Sequence, residues 1–293
     1  MRLLLFGVYD LGFQVLGSML SAGYRPLAVV TRADSSETTS SIAQLAKEEQ
    51  IELWQPHSIK DSSFLFNVQQ LNLDLTVVAG FDKKLPTEVI TSPRKGTINV
   101  HGSLLPKYRG PSTWKQAIMN GEIETGVSIH KMTFELDRGD ILAQSRITIA
   151  HDDTGGSLFQ KICQAGAELL PVTLKHMEEG SVQTTIQEEN QATYYSYVTD
   201  ADAFVNFNQN ADRVRNHIRA LNPRPGAWCS FKSARMIVSY AELTDTNSFA
   251  APGTIIEITS NRFCVATATT NVWLTMEHCH IIMQTGDQFD LYS

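Results

Sequence analysis

Cysteine is scarce and scattered in this chain of 293 residues: Cys163, Cys229, Cys264 and Cys279 form no Cys-x-x-Cys pair. That excludes a disulfide scaffold and a cysteine zinc ribbon, and His278-Cys279-His280 is too compact to make a zinc site by itself. The thiols read as buried and reduced, and no metal is expected. Positive charge is in deficit. Lys and Arg number 24 against 31 Asp and Glu, a net charge of −7, so no general basic field exists to draw in nucleic acid. No apolar run reaches the length of a membrane span. The opening Met1-Arg-Leu-Leu-Leu-Phe6 is too short for a secretory signal, and a cytoplasmic protein without a membrane partner is expected. Two chemical fingerprints are also missing. The loop Gly7-Val-Tyr-Asp-Leu-Gly12 is not Gly-x-Gly-x-x-Gly, which argues against a dinucleotide. Ser103 lacks the Gly-x-Ser-x-Gly elbow of a serine nucleophile.

What is present reads as a globular α/β chain. Hydrophobic residues make up 42% and charged residues 19%, with room for one large domain or two ordinary ones. Apolar strands are expected at Leu3–Phe6, Pro26–Thr31, Ile51–Trp54 and Leu73–Ala79, alternating with helices at Phe13–Ala22, Ile42–Glu49 and Ser62–Leu71. That alternation predicts a doubly wound, mostly parallel sheet. Ser157–Glu178 has the spacing of a long amphipathic helix that Pro171 should kink and Gly180 should end. A polar, Gln- and Tyr-rich stretch follows and reads as a linker over residues 186–202. It separates a first domain, residues 1–185, from a second, residues 203–293. The second opens with a helix, Ala211–Leu221, and continues in short strands: Cys229–Phe231, Met236–Leu243, Gly253–Ile258, Phe263–Ala268 and Val272–Met276.

The segment richest in chemistry is Asn99-Val-His101-Gly-Ser103-Leu104-Leu105-Pro106-Lys107-Tyr-Arg109-Gly110, followed later by the acidic turn Glu135-Leu136-Asp137-Arg-Gly139-Asp140. Asn99 and His101 close an apolar, strand-like run, and strand alternation puts residues two apart on one face. An amide, an imidazole and a carboxylate can together stabilise an oxyanion and move a proton. By residue type alone, Asn99 could equally cap a turn and His101 could be an ordinary polar residue at a strand end.

The surrounding words decide between these readings. Asn-x-His-x-Ser-Leu-Leu-Pro with a later Asp-x-Gly turn resembles the signature of the folate-dependent formyltransferases. Asn120-Gly-Glu-Ile-Glu-Thr-Gly126, His130-Lys-Met132 and Ile149-Ala-His-Asp-Asp153-Thr extend the resemblance over nearly the whole chain. It implies transfer of a formyl group from 10-formyltetrahydrofolate to a primary amine, with Asn99, His101 and Asp137 as the catalytic set. It implies a folate slot built from the Gly80-Phe81-Asp-Lys83-Lys84-Leu85-Pro86 loop and from Leu136. Phe81 would wall the slot, and Lys83 and Lys84 would meet the folate glutamate or stand solvated. Tyr9 and Asp10 would border the acceptor, with Ser103, Lys107 and Arg109 close by; Arg109 would either hold its loop or contact an acidic acceptor. The second domain resembles the small β-barrel, of oligonucleotide-binding type, that follows the catalytic domain in members of the family, through Ile218-Arg219-Ala-Leu-Asn222-Pro-x-Pro-Gly226-Ala.

For the acceptor, the loop Arg32–Ser41 supplies one cation and two acids, a poor clamp for phosphates. The motif around Leu104–Gly110 is close to that of enzymes formylating a nucleotide-linked aminosugar. A small amine of that kind is the expected partner, with initiator methionyl-tRNA as the alternative acceptor and nucleic acid otherwise unlooked for. A catalytically silent folate-binding relative has no physical need for all three of Asn99, His101 and Asp137. Oligomeric state is not legible.

Overall fold

The computed structural model describes residues 1–34, 39–260, 262–277 and 282–290. The middle of the Arg32–Ser41 loop, and Cys279 with its flanking histidines, lie outside the described residues.

The elements run β1 (Leu3–Gly7), α1 (Tyr9–Ser21), β2 (Ala28–Val30), α2 (Ser41–Glu48), β3 (Glu52–Trp54), α3 (Ser62–Gln70), β4 (Leu75–Ala79), α4 (Thr87–Thr91), β5 (Thr97–His101), α5 (Thr113–Met119), β6 (Glu124–Lys131), β7 (Ile141–Thr148) and α6 (Gly155–Glu179). They continue with α7 (Ala211–Leu221), β8 (Ala227–Phe231), β9 (Ala234–Leu243), β10 (Ile255–Ile258), β11 (Arg262–Val265) and β12 (Val272–Glu277). By contacts the chain divides into two units. One gathers Met1–Gly110, Thr125–Ile147 and Gln160–Tyr195; the other gathers Pro111–Glu124, Thr148–Phe159 and Ser196–Ser293.

The first unit carries a seven-stranded sheet in the order β3-β2-β1-β4-β5-β6-β7. β1 pairs in parallel with β2 and β4, and β4 with β5, while β6 runs antiparallel to β5. Every residue of β1 and β4 is buried, as strands covered on both faces require, which is why they read as unbroken apolar runs. Strand order reverses between β1 and β4, so a crevice opens at their carboxyl ends, beyond Gly7, Ala79 and His101. The first helix starts earlier than expected. The Gly7–Gly12 stretch is not a loop: α1 begins at Tyr9, and Gly12 lies inside it. A Cβ on Gly12 would come within 2.8 Å of the Gly7 carbonyl carbon, so this glycine is there for close helix–strand packing rather than for a turn. α6 runs unbroken through Pro171 to Glu179.

In the second unit α7 is capped by the Asn210 side chain, which accepts from the Arg213 N–H at 2.8 Å. Its apolar face, Val214, Ile218 and Leu221, shares a core with Phe207, Val238, Leu274 and Phe289. The sheet order is β10-β11-β12-β9-β8, antiparallel throughout. Among the described residues this sheet is open where a closed barrel was expected. Its edges make isolated bridges, Thr254 to Gln288 and Phe204 to Trp228, and Asp290 N–H donates to the Ser230 carbonyl of β8, contacts that do not amount to a further strand pairing. No helix among the described residues is long and apolar enough to cross a membrane.

Candidate active site

β5 brings the first two polar groups to the crevice. Thr97-Ile-Asn-Val-His is stiff and largely buried, and its alternation places Asn99 and His101 on one face. The antiparallel register sets His130 of β6 opposite Asn99 and Ser128 opposite His101. The third group comes from the turn after β6, where Asp137 adopts φ 53° and is 9% exposed.

These side chains converge. The Asp137 Oδ2 lies 3.7 Å from His101 Nδ1, and its Oδ1 lies 3.5 Å from His130 Nε2. Gly110 N–H donates to Asp137 Oδ2 at 2.8 Å. Asn99 Nδ2 is 3.3 Å from His130 Nε2. Backbone carbonyls place one proton on each imidazole, because a carbonyl only accepts. His101 Nε2–H donates to the Tyr108 carbonyl at 2.8 Å, and His130 Nδ1–H donates to the Lys131 carbonyl at 2.8 Å. The ring nitrogens left over, His101 Nδ1 and His130 Nε2, therefore face the Asp137 carboxylate. Burial alone would push that carboxyl up. The charges of His101 and His130, a hydrogen bond from His130 and the Gly110 N–H outweigh burial and hold it well below the usual carboxylate range. Asp137 is thus an anion set between the two imidazoles.

The turn that carries Asp137 is tightly held. A Cβ on Gly139 would sit 1.9 Å from the Lys131 carbonyl oxygen, so only glycine lets the two passes of chain close. Gln187 Nε2 donates to the Asp137 carbonyl at 2.8 Å and to the Gly139 carbonyl at 2.7 Å. Gln187 Oε1 accepts from Arg109 Nε at 3.1 Å and Nη2 at 2.8 Å. Arg109 has no exposed surface. Its remaining donors go to Glu189 at 2.8 Å and to the Tyr194 hydroxyl.

Two of the residues expected near the acceptor are enclosed by this packing. Arg109 is spent on Gln187, Glu189 and Tyr194, and it holds its loop. Ser103 is also fully buried, and its hydroxyl donates to the Lys107 carbonyl at 3.0 Å. Both side chains are engaged by the protein itself. The other expected contacts are placed differently. Lys107 is exposed. Tyr9 is 54% exposed, with the Arg32 guanidinium 4.9 Å above its ring. Asp10 Oδ2 accepts from Gln160 Nε2 at 2.7 Å. Phe81 packs edge-on to Phe6 at 5.2 Å, and the Leu85 side chain belongs to the core, so only its backbone could meet a ligand. Lys83 and Lys84 line a cavity of about 450 Å³ together with His57 and Lys60. Lys84 Nζ also sits 4.0 Å over the Phe134 ring. Leu136 is 56% exposed beside the Asp137 turn.

The segment expected as the start of a linker is part of this construction. Arg109 N–H donates to the Thr193 carbonyl, Tyr195 N–H to the Arg109 carbonyl, and Tyr108 N–H to Thr193 Oγ1. Tyr108 and Tyr195 stack at 5.1 Å. Sequence reasoning also passed over His130. The one available signal was its place in the His130-Lys131-Met132 word, and its facing Asn99 depends on a strand pairing that no local pattern reveals.

A buried carboxylate between two imidazoles, with a primary amide alongside, equips an enzyme that steadies an oxyanion and shuttles a proton. Comparison with known proteins gives the class. The formyl transferase family matches residues 27–174, and the formyl transferase C-terminal domain matches residues 198–280. Methionyl-tRNA formyltransferase of Staphylococcus aureus strain MW2 is 37% identical over 272 residues, 91% of this chain and 87% of the relative. That of Halalkalibacterium halodurans is 37% identical over 273 residues, 91% and 86%. In fold, the chain is similar to an N-formyltransferase from Helicobacter canadensis solved with folinic acid and dTDP-3-aminofucose. The TM-score is 0.73 at 18% identity, over 94% of this chain and 100% of that one. The chain belongs to the formyl transferase family, and it is a folate-dependent formyltransferase.

Proposed function

We propose that the protein moves a formyl group from 10-formyltetrahydrofolate to the amine of initiator methionyl-tRNA. The observation that carries the chemistry is the Asn99–His130–Asp137–His101 cluster at the carboxyl end of β5. The folate co-substrate supplies a formyl carbon on N10. That C–N10 bond breaks, a bond from the same carbon to the amine forms, and the proton lost by the amine ends on N10.

Around that exchange, Asn99 Nδ2 donates to the developing oxyanion. His101 Nε2–H, given to the Tyr108 carbonyl in the resting arrangement, is the second donor once the formyl oxygen replaces that carbonyl as its acceptor. Loss of one such donor costs on the order of 10²–10³ in rate. Asp137 orients the two imidazoles and takes part in removing the amine proton through His101 or His130. The folate slot fits the residues present. Phe81, the exposed Leu136 and Phe134 offer apolar walls, and Lys83 and Lys84 offer cations for the glutamate carboxylates.

For the acceptor, methionyl-tRNA formyltransferases align with nine-tenths of the chain at 37% identity, which reverses the preference drawn from motifs. A nucleotide-linked aminosugar is the second reading, and one observation favours it. The single cation of the Arg32–Ser41 loop is bound to Asp82 and stacked on Tyr9, so its charge is already committed within the protein. The test is product mass with 10-formyltetrahydrofolate and either acceptor, with His101→Ala and Asp137→Ala as controls. The expected result is N-formylmethionyl-tRNA, formed at a rate that falls with salt and lost in both folded variants. Formylation of the aminosugar nucleotide with none of the tRNA would replace the acceptor. Undiminished turnover in the folded variants would remove the catalytic assignment.

A further inference from the structure

We infer that Gln187 is a positioning residue for the reaction, acting through Asp137; this rests on the assignment of Asp137 to the catalytic set. The turn from Thr133 to Leu136 is mostly exposed, and Asp137 is reached by no strand ladder. Its backbone sits in the left-handed region at φ 53°, where a non-glycine residue stays only if its surroundings hold it. The Gln187 amide supplies that hold. Both of its N–H donors are used, one on the carbonyl of Asp137 itself at 2.8 Å and one on that of Gly139 at 2.7 Å. Its oxygen accepts from Arg109 Nε and Nη2. The amide orientation is dictated by chemistry, since carbonyls accept only and a guanidinium donates only.

Gln187 thereby ties together the two loops that set the carboxylate. Arg109 belongs to the loop whose Tyr108 carbonyl holds His101 and whose Gly110 N–H holds Asp137 Oδ2. Asp137 belongs to the turn between β6 and β7. Gln187 hydrogen-bonds to both, from a segment that makes its own backbone contacts at Ile141 with Thr185 and at Arg109 with Thr193. It is 7% exposed and separated from the reacting groups by Asp137, so its effect on rate runs through the position of that carboxylate.

Gln187→Glu is the incisive change. One carboxylate oxygen keeps the Arg109 pair, while the other faces two carbonyl oxygens with no proton to give. The turn must shift, and a displacement of about 1 Å costs roughly 100-fold in rate. Gln187→Met removes the same donors without adding charge and serves if the acidic variant does not fold. Steady-state kinetics and pH profiles would be measured on the full chain for each Gln187 variant, for Asp137→Asn and for the double variants, with circular dichroism to verify folding. The expected result is a kcat lowered roughly 10–100-fold, with KM for folate and acceptor within about twofold. The kcat–pH profile should move towards that of Asp137→Asn, and the Gln187 change should add little once Asp137 is Asn. Full kcat in a folded Gln187 variant, or losses that multiply in the double variant, would overturn the positioning role. If Asp137→Asn itself keeps wild-type kcat, the catalytic reading of Asp137 fails instead, and the single variants separate the two failures.

Discussion

Replacing Arg109 by Met separates two physical accounts of that residue. The guanidinium has no exposed surface, and its loss strips the Gln187 oxygen of both donors, at 3.1 and 2.8 Å. A buried acceptor left without a partner costs about 1–3 kcal/mol. The Tyr194 hydroxyl loses its partner too, and the guanidinium carbon no longer sits 5.2 Å over the Tyr194 ring, worth about 0.5–1 kcal/mol at such a half-exposed site. Glu189 is solvated and adds nothing to this sum. Against these losses stands the desolvation of a charge that methionine does not carry. The net expectation is a loss of about 2–3 kcal/mol, or roughly 4–12 °C in Tm for a unit of this size. Urea unfolding gives the free energy, and kinetics on the same sample give kcat and the acceptor KM. Because Gln187 then loses its anchor, kcat should fall while the acceptor KM stays within about twofold. Unfolding free energy within about 0.5 kcal/mol of wild type, together with an acceptor KM raised at least tenfold, would refute the reasoning. It would show that the guanidinium meets the acceptor.

Two further expectations concern titrating groups away from the reacting atoms. Burial, helped by the Asp10 charge, pushes the Cys163 thiol up to about 12, so at pH 8 about one molecule in ten thousand carries the thiolate; iodoacetamide should leave Cys163 unmodified in the native protein and alkylate it in urea, as peptide mass mapping will read, and rapid native labelling would disprove its burial. Burial also lowers the pKa of His217 on α7, against weaker upward pulls from the Ala203 backbone and Asp202. The unfolded chain then binds the extra proton first, below about pH 6.5, so stability falls as pH drops, by up to about 1.4 kcal/mol per unit. The urea midpoint should fall between pH 7 and 5.5, and His217→Gln should flatten that slope; parallel slopes would mean that His217 ionises as readily folded as unfolded.

Some of this structure could be read directly from the residues, and the reasons differ element by element. β1 and β4 are buried on both faces, so their sequences are unbroken apolar runs and announce themselves. α7 carries its own signals, an Asn210 cap and an apolar stripe. β6 was harder. It is buried along almost its whole length yet carries Thr125, Ser128 and His130, polar groups that break the apolar run by which a strand is recognised. The second sheet's strands were legible individually, but whether they close is decided by edge pairing between residues far apart in sequence. Asn99, His101 and Asp137 stood out because the chemistry restricts residue type. Gln187 did not, because its function depends on three backbone or side-chain partners contributed by other segments, and a glutamine in a Gln-rich stretch has no local mark.

The same distinction bears on the acceptor. Formyl transfer needs particular groups at particular distances, whereas holding a polyanion needs a sum of uncommitted charges. Among the described residues, Arg32 is bound to Asp82 and Lys47 lies 3.6 Å from Asp34. In the second unit, Arg213, Arg215 and Arg219 line a cavity of about 440 Å³, but they are not equivalent. Arg219 donates to the Ala150 and Asp153 carbonyls and to Asn216, so it serves the fold. Arg215 lies 3.8 Å from Asp212, and among the described residues the Arg213 side chain reaches Gln209 at 3.5 Å. These two are the arginines of that cavity least committed to the protein itself. With Arg213 and Arg215 as the phosphate contacts, log kcat/KM for tRNA should fall against log salt with a slope near −2, as about two neutralised phosphates would give. A much steeper slope would mean that the phosphate contacts lie on other lysines and arginines, and Arg213→Gln with Arg215→Gln would then leave it unchanged.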